Sequence, residues 1–104
     1  MEKYDVNITK PAEDDLRDIV KYISSQLNAP VTAGNMLDTI NEAISKLESN
    51  ALHYSLVRDD RLTALGYRLM VVKNYLVFFI VNEKNNFIDV DRILHGRRDW
   101  QNLL

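Results

Sequence analysis

The chain has 104 residues, of which 46% are apolar and 27% are charged, as in an ordinary folded globular domain. It contains no cysteine, which excludes disulfide bridges, thiolate metal sites and a cysteine nucleophile. The formal net charge is −2, whereas proteins that hold a nucleic-acid backbone by themselves carry a strong basic excess. The totals therefore count against autonomous, tight binding of DNA or RNA.

Nothing in the order of the residues divides the chain, since no linker, internal repeat or low-complexity tract is present. We therefore expect one domain over residues 1–104. The first ten residues lack the apolar core of a signal peptide, and no run reaches the ~18 apolar residues of a membrane span. We expect a cytoplasmic protein without membrane contact. Residues 1–50 carry a net charge of −4 and residues 51–104 one of +2, which leaves room for a basic patch in the second half.

The first half of the chain predicts a strand and two helices. Tyr4, Val6 and Ile8 alternate with polar residues, as in a strand with one buried face. Pro11 and Pro30 each suit the first turn of a helix. The two apolar stripes that follow are Ala12, Leu16, Ile19, Val20, Ile23 and Leu27, and then Ala33, Leu37, Ile40, Ile44 and Leu47. Their spacing predicts an antiparallel helix hairpin whose stripes form core, and we interpret the acidic run 13–18 as a solvated helix face.

The periodicity fades between Ser49 and Leu65. The segment reads as a connection that is longer than usual. We expect four of its apolar side chains to hold it against the body: Leu52, Leu56, Val57 and Leu62.

Three runs of β-branched and aromatic residues fill the stretch 66–100, with breaks at residues 73–74 and 83–86. This pattern predicts a three-stranded antiparallel meander with two tight hairpins. In its last strand, strict alternation places Ile88, Val90, Arg92 and Leu94 on one face and Phe87, Asp89, Asp91 and Ile93 on the other. The whole chain reads as an α+β fold of order β-α-α-β-β-β. We expect an antiparallel sheet with the helix hairpin on one face and the other face left for a partner.

The order of these elements and three stretches of residues resemble the RelE/ParE superfamily of bacterial toxins, most closely its ParE-like members. The resemblance covers nearly the whole chain. The stretches are residues 11–23 (PAEDDLRDIVKYI), residues 66–79 (GYRLMVVKNYLVFF) and residues 92–100 (RILHGRRDW). The resemblance implies the toxin of a type II toxin–antitoxin system, neutralised by a cognate antitoxin that alone contacts operator DNA.

Two targets are known in the superfamily, and the resemblance implies one of them here. ParE-like members poison DNA gyrase, and RelE-like members cut mRNA in the decoding site of the ribosome. We favour gyrase, because such a toxin needs a shaped surface and a few anchors. Arg and Trp are enriched among residues that dominate interfaces, so the candidate target-binding residues are Arg97, Arg98 and Trp100. A non-toxic module that only binds the antitoxin is a third alternative.

Cleavage of mRNA needs a proton acceptor or donor and cations for the phosphate that gains charge. The nuclease members imply four candidates for these catalytic roles: Arg68, Lys73, Arg92 and His95. Two departures count against cleavage. Tyr75 stands where the most similar nuclease members tend to have a cation, and Gly96 stands where an aromatic acid would follow the histidine. Each missing group of this kind costs about a hundredfold in rate.

Each candidate also has a structural interpretation. Arg68 and Arg92 could pair with Asp89 or Asp91 across strands, and Arg97 and Arg98 could be a solvated tail. Trp100 could fix the C-terminal segment to the sheet by apolar burial, and His95 could be a hydrogen-bonded turn residue. No pair of histidines with carboxylates has metal-site spacing, so we expect no metal. We expect no cofactor either.

Overall fold

A computed structural model describes residues 3–104 of the chain. The strands are β1 (Asp5–Ile8), β2 (Tyr67–Val72), β3 (Tyr75–Asn82) and β4 (Phe87–His95). The helices are α1 (Lys10–Lys21), α2 (Pro30–Ser45), α3 (Leu47–Asn50) and α4 (Asp60–Ala64). A π-helical turn (Tyr22–Gln26) extends α1, and 3₁₀ turns lie at Ala51–His53 and Trp100–Asn102. Within the described residues, no helix is long and apolar enough to cross a bilayer.

The first helix begins and ends where its sequence predicts, with one difference. Thr9 caps α1 by accepting a hydrogen bond from the Ala12 N–H, and Pro11 lies in the first turn. The stripe is confirmed as far as Ile23, which is buried. Leu27, however, is 56% exposed. The π-helical turn adds a residue to the last turn, so the positions after it are rotated away from the stripe.

The four strands form one sheet in the order β1-β4-β3-β2. The meander is confirmed, because β2 pairs with β3 and β3 with β4 in antiparallel fashion. The fold class, with its β-α-α-β-β-β order, is therefore confirmed. The strand β1 differs from the expected antiparallel arrangement, since it lies parallel to β4. A parallel neighbour requires a crossover connection rather than a hairpin, and the helix hairpin supplies it.

A β-bulge in β4 changes which side chains face the helices. Phe78 pairs with Arg92 and Phe79 pairs with Val90, so Asp91 is the additional residue. One extra residue reverses the alternation on the far side of a bulge. The prediction of one shared face for Ile88, Val90, Arg92 and Leu94 is therefore wrong. Ile88, Val90 and Ile93 belong to the core between sheet and helices, and Leu94 belongs to a second cluster.

The second cluster covers part of the sheet face that the sequence analysis left for a partner. It contains Val57, Leu62, Phe78 and Leu94, with Trp100, Leu103 and Leu104 packed against it. The segment 49–65 is accordingly more ordered than a plain connection, because it contains the end of α3, the 3₁₀ turn Ala51–His53 and α4. Of its four expected anchors, Val57 and Leu62 are buried, whereas Leu52 and Leu56 are 46% and 40% exposed.

The substitution Leu62→Ala tests the second cluster. Leu62 is fully buried, so we expect a loss of about 2–5 kcal/mol in the free energy of unfolding. Leu52→Ala is the matched control on the same segment, and we expect it to cost less than about 1 kcal/mol. Urea unfolding followed by circular dichroism measures both. Equal losses in the two variants would show that α4 is not anchored by the cluster.

The bulge residue Asp91 also fixes a tyrosine. The Tyr67 hydroxyl donates to Asp91 Oδ2 at 2.7 Å. Burial, together with the hydrogen bond and the negative charge of Asp91, raises the pKa of Tyr67 to about 12.

This raised pKa predicts a pH dependence of stability. In the unfolded chain Tyr67 ionises near pH 10, whereas in the folded chain it stays protonated to about pH 12. Its contribution is therefore complete below pH 10 and is lost as the pH rises from 10 to 12. We expect Tyr67→Phe to reduce the fall in the free energy of unfolding across this interval, as measured by urea unfolding at each pH. An unchanged slope would contradict the assignment.

Candidate functional site

Four of the predicted site residues meet at one end of the sheet, where the β2–β3 turn approaches the end of β4. The Gly96 N–H donates to the Asn74 carbonyl oxygen at 2.8 Å. This bond joins the turn between β2 and β3 to the residue that follows β4. Lys73 adopts a left-handed backbone with φ of 56° at the tip of the turn. We call the set Lys73, His95, Arg97 and Arg98 the basic end.

His95 is held on two sides. It pairs with Tyr75 across the strands, and the two rings meet edge to face with centroids 5.5 Å apart. Burial raises the pKa of the Tyr75 hydroxyl. The Nδ1 atom of His95 accepts a hydrogen bond from the Arg97 N–H at 3.1 Å. In a neutral imidazole one nitrogen accepts and the other carries the hydrogen, so the hydrogen of His95 is on Nε2.

Arg97 and Arg98 lie on a short turn whose backbone is fixed although their side chains are exposed. The Arg98 N–H donates to the His95 carbonyl oxygen at 2.9 Å. Among residues 3–104, the ion pairs within 4.0 Å involve other cations, and none includes Lys73, Arg97 or Arg98. These three charges are therefore available to a partner.

Two clefts flank His95. The first has a volume of about 430 Å³ and is lined by Val71, Lys73, Asn74, Leu76, His95, Gly96 and Arg97. The second, of about 530 Å³, lies between α1 and the ends of β3 and β4, and its lining includes Asp15, Asp18, Tyr22, Tyr75 and Arg98. The first cleft has no carboxylate in its lining, whereas the second has two. The basic character is therefore concentrated on the side of the β2–β3 turn.

Arg92 is not part of the basic end. Its Nε and Nη2 atoms donate to Asp15 Oδ2 and Oδ1 at 2.7 and 2.9 Å, and its Nη1 donates to the Leu103 carbonyl oxygen at 3.2 Å. The hydrogen bond to Asp15 raises the pKa of Arg92. The partner is thus Asp15 on α1, and not Asp89 or Asp91 on the sheet.

Asp15 also closes an open sheet edge. Strand β1 pairs with β4 only as far as Val90, which leaves the rest of that edge of β4 without a strand. There the Ile93 N–H donates to Asp15 Oδ2 at 2.9 Å, and the Thr9 hydroxyl donates to the Val90 carbonyl oxygen at 3.0 Å. The start of α1 therefore takes the place of a neighbouring strand.

The sequence analysis missed this role of Asp15, because it assigned the whole acidic run to a solvated face. A signal was present, however. Asp15 is three residues after Ala12 and four before Ile19, and residues at these spacings share one face of a helix. An acidic side chain on the apolar face of α1 indicates a buried partner.

Arg68 lies apart from the basic end as well. It pairs with Phe79 in the sheet, and its Nη1 donates to the Tyr54 carbonyl oxygen at 2.6 Å. Val72, at the end of β2, is four positions further along the strand, a distance of roughly 13 Å. Of the four candidate catalytic residues, the structure brings only Lys73 and His95 together.

The side chain of Trp100 packs against the apolar residues of the second cluster. Its ring centroid lies 5.4 Å from that of Phe78, and it packs against the second cluster together with Leu103 and Leu104. This is the structural interpretation that the sequence analysis set beside target binding. Within residues 3–104, no group of three or more histidine and carboxylate side chains could hold a metal ion.

Comparison with known proteins agrees with this arrangement of elements. The family model described as "ParE toxin of type II toxin-antitoxin system, parDE" matches residues 6–100. The chain belongs to the ParE toxin family. It is accordingly a toxin of a type II toxin–antitoxin system, and the resemblance inferred from the sequence is confirmed. No curated protein sequence matches the chain significantly.

Two solved structures share the fold of this ParE-family toxin. One is described as a chromosomal ParDE toxin–antitoxin system from P. aeruginosa, with a TM-score of 0.71, 21% identity and coverage of 89% of this chain and 96% of the other. The second is the RelBE2 toxin–antitoxin complex from Mycobacterium tuberculosis, with a TM-score of 0.63, 16% identity and coverage of 89% and 98%. At these identities the likeness concerns the fold.

The substitution Asp15→Asn tests the closure of the β4 edge. It removes the charge that holds Arg92 and weakens the acceptor of the Ile93 N–H, so we expect a loss of roughly 1.5–3 kcal/mol in the free energy of unfolding. Asp14→Asn is the matched control, since Asp14 pairs only with exposed Lys10 and Arg17 and such pairs contribute little. Urea unfolding of both variants provides the measurement. A loss as large for Asp14→Asn would contradict this role for Asp15.

Proposed function

We propose that this toxin arrests growth by binding DNA gyrase through its basic end, and that a cognate antitoxin neutralises it in the cytoplasm. The main support is that Arg97 and Arg98 are exposed and form no ion pair within residues 3–104. They lie on a turn fixed by hydrogen bonds to His95. Exposed arginines on a rigid support are suited to anchoring a protein interface. Membership of the ParE family supports the same choice of target.

The positions of the candidate catalytic residues favour binding over chemistry. Arg92 and Arg68 are committed to Asp15 and to the Tyr54 carbonyl oxygen, so they are not directed at a phosphate beside His95. The Nδ1 atom of His95 is already engaged by the Arg97 N–H at 3.1 Å, so it is not directed at the 2′-hydroxyl of an RNA strand.

Cleavage of mRNA remains the second candidate because Lys73 and His95 share the first cleft. A cation next to an imidazole is a pair that could serve phosphate chemistry. Mapping of mRNA ends after incubation with translating ribosomes separates the two functions. We expect intact message at toxin concentrations that inhibit gyrase.

An apolar groove supports the proposed antitoxin partner. Residues of α1 and α2 line a cleft of about 540 Å³ that includes Leu16, Val20 and Leu37. Tyr22 and Val31 nearby in the sequence are 53% and 76% exposed. An amphipathic segment of a second chain could cover such a groove. We propose that the antitoxin does so, and that operator DNA is contacted by the antitoxin alone.

The double substitution Arg97→Ala and Arg98→Ala tests the basic end. We expect at least about a tenfold rise in the toxin concentration that half-inhibits supercoiling by purified gyrase, because a residue that dominates an interface contributes 2 kcal/mol or more. Growth arrest on induced expression should weaken in parallel.

Arg58→Ala is the matched control, because Arg58 is an exposed arginine outside the basic end. It should inhibit supercoiling as the unchanged toxin does. If the unchanged toxin leaves supercoiling unaffected at high excess, gyrase is not the target. If induced expression also causes no growth arrest, the chain is a non-toxic module that binds only the antitoxin.

A further inference from the structure

The first cleft beside His95 has the composition of an anion site. Its lining includes Lys73, Asn74, His95 and Arg97, and it contains no carboxylate. The Asn74 carbonyl oxygen is engaged by the Gly96 N–H. The cleft therefore offers several hydrogen-bond donors and no negatively charged side chain opposite them.

The donors have a fixed arrangement. Lys73 is held at the tip of the turn by its left-handed backbone, with φ of 56°. The hydrogen on His95 Nε2 follows from the bond that Nδ1 accepts from Arg97. The same bond fixes the backbone of Arg97, and its exposed side chain extends from that point. Charged donors on a preorganised support favour an anion with several oxygens.

Two apolar side chains also line the cleft. They are Leu76 and Val71, and Val71 is 64% exposed on the outermost strand of the sheet. A free inorganic anion would leave these two side chains uncovered. A strand of nucleic acid, by contrast, alternates charged phosphates with sugars whose apolar faces could cover Val71 and Leu76.

We propose that this cleft binds a phosphodiester of the nucleic-acid strand that the toxin meets on its target. The proposal rests on the proposed function, under which that strand is the DNA held by gyrase. The net charge of −2 makes binding to free DNA weak. On the target, however, the contact is intramolecular and needs little affinity of its own. The toxin thus uses Arg98 for the protein surface and the cleft for the backbone of the strand.

The test is a ¹H–¹⁵N correlation titration of the full toxin with oligocytidine dodecamers, one of DNA and one of RNA, at low ionic strength. We expect saturating shifts at the amides of Lys73, Asn74, Gly96 and Arg97. The affinity should fall as salt rises, with a slope of about −0.7 for each phosphate bound. Absence of shifts at millimolar dodecamer, or shifts spread evenly over the surface, would overturn the proposal.

Variants make the test specific. Asn tolerates a left-handed backbone, so Lys73→Asn keeps the turn while it removes the charge. Combined with Arg97→Gln, it should weaken dodecamer binding about tenfold. Lys84→Asn is the matched control, because Lys84 is an exposed lysine in the hairpin at the other end of β3. Equal losses in both cases would overturn the proposal, since they would reveal binding by net charge alone.

Binding of the DNA and RNA dodecamers, compared with inhibition of gyrase supercoiling, distinguishes a failure of this proposal from a failure of the proposed function. DNA binding in the cleft together with unaffected supercoiling supports the phosphodiester site and removes gyrase as the target. Tighter binding of RNA than of DNA supports the site and identifies an RNA target instead. Inhibited supercoiling by a toxin that binds neither dodecamer leaves gyrase as the target and overturns the site.

Discussion

The structure depends on how the free edge of β4 is closed. Beyond Val90 no strand lies beside β4 on that edge, and unpaired backbone groups at a sheet edge are costly when buried and prone to aggregation when exposed. Asp15, on α1, lies against this open part of the β4 edge. It accepts from the Ile93 N–H and holds Arg92 by two hydrogen bonds. One carboxylate thereby joins the helix hairpin to the strand that leads to the basic end.

The same interaction explains why the basic end is rigid. Arg92 also donates to the Leu103 carbonyl oxygen, so the residues between 93 and 103 are fixed at both of their ends. The C-terminal segment is fixed further by Arg61, which donates to the main-chain oxygens of Gln101 and Leu104, and by Trp100 on Phe78. A turn between two such anchors can present exposed arginines without much loss of conformational entropy on binding. Arg92 and Arg61 thus hold in place the segment that presents Arg97 and Arg98.

Much of the fold follows from periodicity, and the differences have local causes. The stripes of α1 and α2 and the meander appear directly in the spacing of apolar residues. The parallel placement of β1 does not follow from spacing. The alternation at Val6 and Ile8 predicts a strand, but it does not predict which strand lies beside it. The bulge at Asp91 cannot be predicted either, since a single extra residue leaves no composition signal, yet it places Ile93 instead of Leu94 on the face of Ile88 and Val90. The candidate site could be predicted only in part. Residues 95–98 are neighbours in the sequence, so their proximity was predictable. The partners of Arg92 and Arg68 are set by tertiary contacts, which the sequence pattern does not reveal.

Under the proposed function, the basic end and not another surface of the toxin faces the target. Photo-crosslinking tests it most directly, with p-benzoylphenylalanine at position 97 or at position 84 of otherwise unchanged toxin, mixed with gyrase and plasmid DNA. We expect a covalent adduct with gyrase or its DNA from position 97 and none from position 84. An adduct from position 84 alone would contradict it.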